Sequence, residues 1–254
     1  MLTALTRPPT DALSRCELTH LLREPLDVRH AVAQHFAYEQ LLAQLGAEVV
    51  QLSPEPAMPD AVFVEDTAVV LDEVAVMMRP GASARRLEID SVARVLADHR
   101  PIEHVRAPGT LDGGDVLRIE RTLYVGRSER TDEGGITQLR EIVEQYGYRV
   151  AAVPVTGCLH LKSACSYVGS GAVLINQSWV PAEQFSDFEL IDVARAEPRA
   201  ANSFSVGETL VMASNFPETR ARLEQSGRRV RTTDLSELQK AEAGGSCMSI
   251  VFET

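Results

Sequence analysis

The feature that most constrains this chain is a long-period repeat. Polar residues that open pairs of short apolar runs recur as Asp66, Asp115, His160, Asn202 and Cys247, separated by 49, 45, 42 and 45 residues. A period of this size signals stacked or radially arranged units, each a supersecondary element that cannot bury its apolar face alone. All-β propellers have a similar period, but here each unit also contains a helical pattern.

The units share a grammar. A helix over 29–45, with Val32, Phe36, Leu41, Leu42 and Leu45 on its apolar face, stops at Gly46 and passes into the β-rich run 47–52. A proline-rich loop, 53–60, precedes strands expected at 61–71 and 74–78 and, after the Pro80-Gly81 turn, a helix at 85–98. Strands at 115–119 and 122–126 are followed by a helix at 133–146 and a strand at 148–153. Strands at 202–206 and 209–213 are followed by a helix at 217–226 and a strand at 228–231. Three helix ends read glycine, two residues, valine (Gly46/Val49, Gly147/Val150, Gly227/Val230), as a left-handed C-cap turning straight into a strand requires. The unit at 160–200 lacks a helix period. The expectation is α/β: five strand-strand-helix-strand units around one axis, forming a single catalytic domain over residues 1–254. The polar residues opening each unit would converge on that axis.

Composition excludes several functions. A net charge of −11 argues against a nucleic-acid partner. No stretch reaches the roughly 20 apolar residues that span a bilayer, and the N-terminus lacks a secretory apolar segment, so no membrane partner and a cytoplasmic setting are expected. Four cysteines at positions 16, 158, 165 and 247 form no CxxC pair, suggesting neither a disulfide framework nor a structural metal site.

What would gather at the axis is chemically specific. Cys247 lies in the glycine-softened turn Gly244–Ser249, a place for a nucleophilic thiol; alone, it reads more readily as a core cysteine. His160 lies between Leu159 and Leu161, and alone would read as a core histidine. Glu65 and Asp66 are embedded among apolar residues, so their carboxylates need a cationic partner. Asp60 alone reads as a solvated loop acid. Asp112 and Asp115 bracket two glycines, and Arg85 and Arg130 occupy equivalent places in their units, suited to a carboxylate. Acids that hold a cation and arginines that hold an anion describe a zwitterion, and a guanidino amino acid fits best.

The segments FVED (63–66), RPGASARR (79–86), LDGGD (111–115), SERT (128–131), LHLKS (159–163), AAN (200–202) and GGSCMS (244–249) resemble, in order and over almost the whole chain, the dimethylarginine dimethylaminohydrolases of the guanidine-modifying, or pentein, superfamily. The resemblance implies a five-bladed α/β propeller of ββαβ units. It implies Cys247 as nucleophile, His160 as general acid/base and Asp112 as the acid that orients it. Asp66 would grip the guanidinium, with Asp60 and Glu65 also in the substrate site, and Arg85 and Arg130 would bind the α-carboxylate. Leu18, on a lid-like segment, corresponds to a main-chain contact. Ala241 and Glu242 stand where the family offers further substrate contacts, at positions that in relatives usually hold a larger aliphatic residue and an aspartate. The implied reaction converts methylated arginines to citrulline without metal or organic cofactor, in a protein that can form a homodimer. Arginine deiminases, the nearest alternative, usually carry an acid two residues after the histidine, where this chain has Lys162. A non-catalytic guanidino-binding protein and a redox-sensing thiol protein are the alternatives outside enzymology.

Overall fold

A computed structural model describes residues 1–254. Its strands are β1 (Leu2–Thr6), β2 (Glu48–Gln51), β3 (Ala68–Val70), β4 (Ala75–Met77), β5 (Ile102–His104), β6 (Val116–Ile119), β7 (Thr122–Arg127) and β8 (Arg149–Pro154), then β9 (Cys165–Tyr167), β10 (Ala172–Ile175), β11 (Glu189–Asp192), β12 (Ser203–Val206), β13 (Thr209–Ala213), β14 (Arg229–Thr233) and β15 (Ser249–Glu253). They form five three-stranded sheets: β3-β4-β5, β6-β7-β8, β9-β10-β11, β12-β13-β14 and β15-β1-β2. In the first four, the central strand runs antiparallel to the strand before it and parallel to the strand after it. The parallel crossover is why a helix intervenes.

The helices are α1 (Val28–Gln44), α2 (Ile89–Leu96), α3 (Glu133–Val143), the single turn α4 (Leu161–Ala164), α5 (Pro217–Gln225) and α6 (Ser236–Gln239). Gly46, Gly147 and Gly227 have φ of 95°, 79° and 84°, the left-handed conformation that the three helix ends were read to need. In the unit at 160–200 a 3₁₀ turn, Ala182–Phe185, occupies the crossover instead of a full helix. The expected five units of strand, strand, helix and strand are therefore present, one with a shortened crossover.

Short strands leave both faces of each sheet to be covered by neighbours, and the core is divided accordingly. One cluster of 13 buried residues joins the sheets of β4 and β7, through Val76, Leu123 and Val125. Another of 11 joins those of β10 and β13, through Leu174 and Met212. The fifth sheet closes the ring: β1 enters between β15 and β2, with Leu5 opposite Ile250 and beside Val50. The two chain ends also exchange hydrogen bonds, Met1 N to Thr254 O and Thr254 N to Met1 O, both 2.8 Å. The strand at 2–6 is not evident from the residues alone, because five residues give too short a pattern to identify without their partner.

Two other expectations change. Only 68–70 of the strand expected at 61–71 is extended; Val64–Thr67 is a 3₁₀ turn in which Thr67 Oγ1 donates to Val64 O at 2.6 Å. The apolar run 61–64 is buried between blades rather than alternating across a sheet. The buried stripe of α1 is also rotated by one residue. Val32 and Phe36 are 42% and 60% exposed, while Ala31, His35, Tyr38 and Leu42 are buried. Polar contacts set that rotation: Glu39 accepts from Thr6 Oγ1 at 2.6 Å and from Gln51 Nε2 at 3.0 Å, and Gln34 donates to Ser236 at 2.8 Å.

The turns that open the five units form a closed ring of hydrogen bonds about the axis. Gly114 N donates to Asp66 Oδ1, Leu161 N to Asp115 Oδ1 and Asn202 Nδ2 to Lys162 O. Ser246 N then donates to Asn202 Oδ1, and Glu65 N to Cys247 O. Each blade junction is tied at least once, which brings residues almost 200 positions apart to one point. No helix is long and apolar enough to cross a membrane.

Candidate active site

At one end of the axis lies a cavity of about 20 Å³, room for little more than one water molecule. Its walls include Asp60, Asp66, Arg85, Arg130, His160, Ala241, Glu242 and Cys247. From the opposite end a channel of about 640 Å³ runs between the strands nearest the axis and stops at Glu65, Lys162 and Ser246. There Lys162 Nζ lies 2.7 Å from Glu65 Oε1, and Ser246 Oγ donates to Glu65 Oε2 at 2.8 Å. The expectation that Glu65 is buried and needs a cation is met by Lys162.

Cys247 is delivered by the turn after α6, two residues before β15. Its Sγ accepts from Gly244 N at 3.2 Å. Burial and the nearby carboxylates of Glu65 and Asp66 push the thiol up from its ordinary value, opposed by the Gly244 amide and Lys162. The empty site therefore favours the neutral thiol.

His160 caps the turn α4, and its ring lies between two acids. Nε2 is 3.1 Å from Asp112 Oδ2, and Nδ1 is 3.8 Å from Asp66 Oδ1. Burial alone would lower its pKa, but Asp66 and the bond to Asp112 outweigh that and lift it to about 9. Asp112 is fixed in turn: its Oδ1 accepts from Gly81 N at 2.8 Å, and its own amide donates to Thr131 Oγ1 at 3.1 Å. Gly114 passes so close that an added Cβ would stand 2.5 Å from His160 Nδ1 and 2.7 Å from Asp66 Oδ1. Only glycine fits between these two side chains.

Asp66 is held well charged, at a pKa of about 2: its burial is outweighed by His160 and Arg85. Arg85 is fully buried and almost saturated. Nη1 donates to Asp66, Nε to Glu88, and Nη2 to Glu88 and to the carbonyls of Asp60 and Phe63. Of its five N–H groups, one on Nη1 is left to face the cavity. Glu88 went unnoticed in the sequence, although its place three residues beyond Arg85 is the spacing of a helical ion pair. Asp115, which the repeat singled out, is buried with its pKa raised to about 6. It accepts from Ser128 Oγ, Thr131 Oγ1 and Leu161 N, a brace for the Asp112 turn.

The remaining candidates meet the segment 17–21. Asp60, read alone as a solvated acid, is buried, and its carboxylate accepts from Glu17 N at 3.1 and 3.2 Å. Arg130 Nη2 donates to Thr19 Oγ1 at 2.9 Å. The Glu242 carboxylate accepts from the amides of Thr19, His20 and Leu21. Leu18 is half-buried within this segment, against the core cluster that includes Ala241.

Asp66, Asp112 and His160 place three ligand-type atoms within 4.8 Å of one another. Those atoms are already engaged: Nε2 with Asp112, and Asp66 with Arg85 and Gly114. A metal ion on Nε2 would have to break the His160–Asp112 pair, so the donor set fits a proton-handling histidine better than a metal site.

A ring of five ββαβ blades with a cysteine, a histidine and carboxylates on its axis defines the guanidine-modifying, or pentein, superfamily. The family described as N,N dimethylarginine dimethylhydrolase, eukaryotic, matches residues 22–254. The chain is 39% identical over 250 residues to an N(G),N(G)-dimethylarginine dimethylaminohydrolase of Streptomyces coelicolor, covering 97% of this chain and 95% of the other. It is 34% identical over 228 residues to the enzyme of that name from Pseudomonas aeruginosa, covering 89% and 90%. A solved structure of the Pseudomonas aeruginosa protein, a cysteine-to-serine variant complexed with citrulline, superposes with a TM-score of 0.94 at 32% identity, covering 99% of this chain and 100% of that one. The chain belongs to the dimethylarginine dimethylaminohydrolase family.

Proposed function

We propose that the chain, acting as one catalytic unit, hydrolyses Nω-methylated arginines to citrulline and methylamine or dimethylamine. The observation that carries this reading is the meeting of Cys247, His160 and Asp66 in one cavity at the propeller axis, in a chain of this family. The citrulline held by the Pseudomonas aeruginosa relative supports a guanidino amino acid as ligand.

A guanidinium resists attack because resonance spreads its charge. Asp66, charged and fixed by Gly114, orients the cation so that its central carbon faces Cys247. The cation's charge offsets that of Glu65 and Asp66 and so favours the thiolate: the Sγ proton passes to solvent as the substrate binds, and the thiolate attacks that carbon. His160, protonated at neutral pH, gives its Nδ1 proton to the departing amine as the C–N bond breaks, leaving an S-alkylthiouronium on Cys247. The neutral imidazole then takes a proton from water. Hydroxide adds to the same carbon, the C–S bond breaks as the new hydroxyl gives its proton to sulfur, and citrulline leaves with the thiol restored. Proton transfer of this kind contributes on the order of 10²–10⁴-fold in rate.

Preference for methylated substrates has a structural basis in Lys162. An acid at that position would add a second clamp on the guanidinium. Lysine both withholds that clamp and ties up Glu65, leaving Asp66 to hold one edge of the cation and the other edge free for methyl groups. Turnover of asymmetric dimethylarginine, monomethylarginine and arginine, each followed by citrulline release, tests the reading. Methylated substrates are expected to lead in kcat/KM; a strong preference for arginine would contradict it.

A further inference from the structure

We propose that Glu242 is a positioning residue that fastens the segment 17–21 over the catalytic cavity and governs access to it. Resting on the reading above, this gives Glu242 a role distinct from substrate contact.

Two independent observations carry the proposal. The first is the bonding pattern. One carboxylate accepts from three consecutive main-chain amides, Thr19 at 3.0 Å, His20 at 2.5 Å and Leu21 at 2.6 Å. Hydrogen bonds to an ionised acceptor are about twice as strong as neutral ones, and three converging amides form a nest for a single anion. The segment's other ties are Glu17 N to Asp60 and Arg130 to Thr19, both from residues that face the cavity. The second is backbone conformation. Glu242 has φ of +63°, a left-handed geometry that a non-glycine residue adopts at a cost. The residue so held lines both the catalytic cavity and the pocket beside it.

The volumes show what the fastening does. The catalytic cavity, at about 20 Å³, is too small for any amino acid. Next to it lies a second pocket of about 220 Å³, edged by His20, Trp179 and Phe216. The two share Leu159, Glu242 and Ala243 as a common wall. Release of the three amides from Glu242 frees one side of that wall, so the outer pocket becomes a vestibule from which a guanidino acid enters. Refastening then shuts water out and returns Glu17 to the cavity wall. A lid held by the free enzyme restricts entry, and a lid held over substrate restricts escape; the second effect sets the direction of the expected change in KM.

Glu242→Gly separates this role from a general effect on folding, because glycine adopts φ of +63° freely and removes the carboxylate. Amide hydrogen exchange of the 17–24 segment in the ligand-free protein is the primary readout, and needs no turnover. Exchange at 19–21 is expected to rise at least tenfold, with the blades unchanged, and L-citrulline to restore less protection than in wild type. KM for dimethylarginine is expected to rise about tenfold with a smaller change in kcat. Glu242→Gln, which keeps one acceptor oxygen, falls between. Unchanged exchange in the glycine variant overturns the proposal. So does a raised KM with unchanged exchange, which would place Glu242 on the substrate. Faster exchange in a protein that turns over no methylated arginine would uphold the latch and remove the proposed reaction instead.

Discussion

His160 Nε2 lies 3.1 Å from Asp112 Oδ2, and this contact turns Nδ1, the other ring nitrogen, toward Asp66 and the cavity of Cys247. Asp112 is completely buried and is itself held by the Gly81 amide and Thr131. The pair therefore fixes both the orientation of the ring and its charge.

Asp112→Asn removes the charge and keeps the shape. The His160 pKa, lifted to about 9 by Asp66 and Asp112 against the effect of burial, should fall. An acid with a lower pKa is lost at lower pH, so the alkaline limb of kcat/KM should move down and the plateau should drop by about 10²-fold or more. A pH–rate profile of wild type and variant checks both.

Gly114→Ala inserts a methyl group against His160 Nδ1 and Asp66 Oδ1. Neither neighbour has room to retreat, since Asp66 is bound to Arg85 and His160 to Asp112. Displacing the ring by a fraction of an ångström should lower kcat by about 10²-fold. Thermal denaturation beside the rate assay should show a loss of roughly 1–3 kcal/mol, as overpacking does.

Lys162→Met leaves the Glu65 carboxylate without its cation. Breaking such a buried pair should cost about 3 kcal/mol in denaturant unfolding. A freed Glu65 can reach for an unsubstituted guanidinium nitrogen. The ratio of kcat/KM for arginine to that for dimethylarginine should therefore rise, by roughly tenfold. Competition assays with the two substrates measure that ratio directly.

His35 supplies a pH dependence that is separate from catalysis. Its Nε2 is buried without a partner, and burial lowers its pKa to about 4 although Glu39 is 3.6 Å away. An unfolded histidine titrates near 6.5, so between those values the unfolded chain binds more protons. Stability from the neutral ring is thus fully present above pH 6.5 and is lost as pH falls toward 4, by about 3 kcal/mol. Urea midpoints at pH 7 and pH 5 should fall less in His35→Phe than in wild type.

The ring of blades was legible because its signal is long-range and redundant. Five strand openings recur at one period, and three glycines end helices in one way. The meeting of Asp66, His160 and Cys247 followed from that period alone. Single-element details were less legible. The buried face of α1 was misplaced because His35 and Glu39, not Val32 and Phe36, turn inward to meet Thr6 and Gln51. The segment 61–67 read as strand because apolar residues packed between blades have no period to betray a turn. The grip of Glu242 on Thr19, His20 and Leu21 left no trace, since an acid 221 residues away bonds amides that every sequence possesses.

The central claim, nucleophilic catalysis by Cys247, is tested most directly by acid quench of the enzyme during turnover of dimethylarginine, followed by intact and peptide mass spectrometry. The account predicts an adduct equal to substrate less dimethylamine on the peptide that carries Cys247, absent from Cys247→Ser, which releases no citrulline. Citrulline release by Cys247→Ser at near the wild-type rate, with no adduct in either protein, would contradict it.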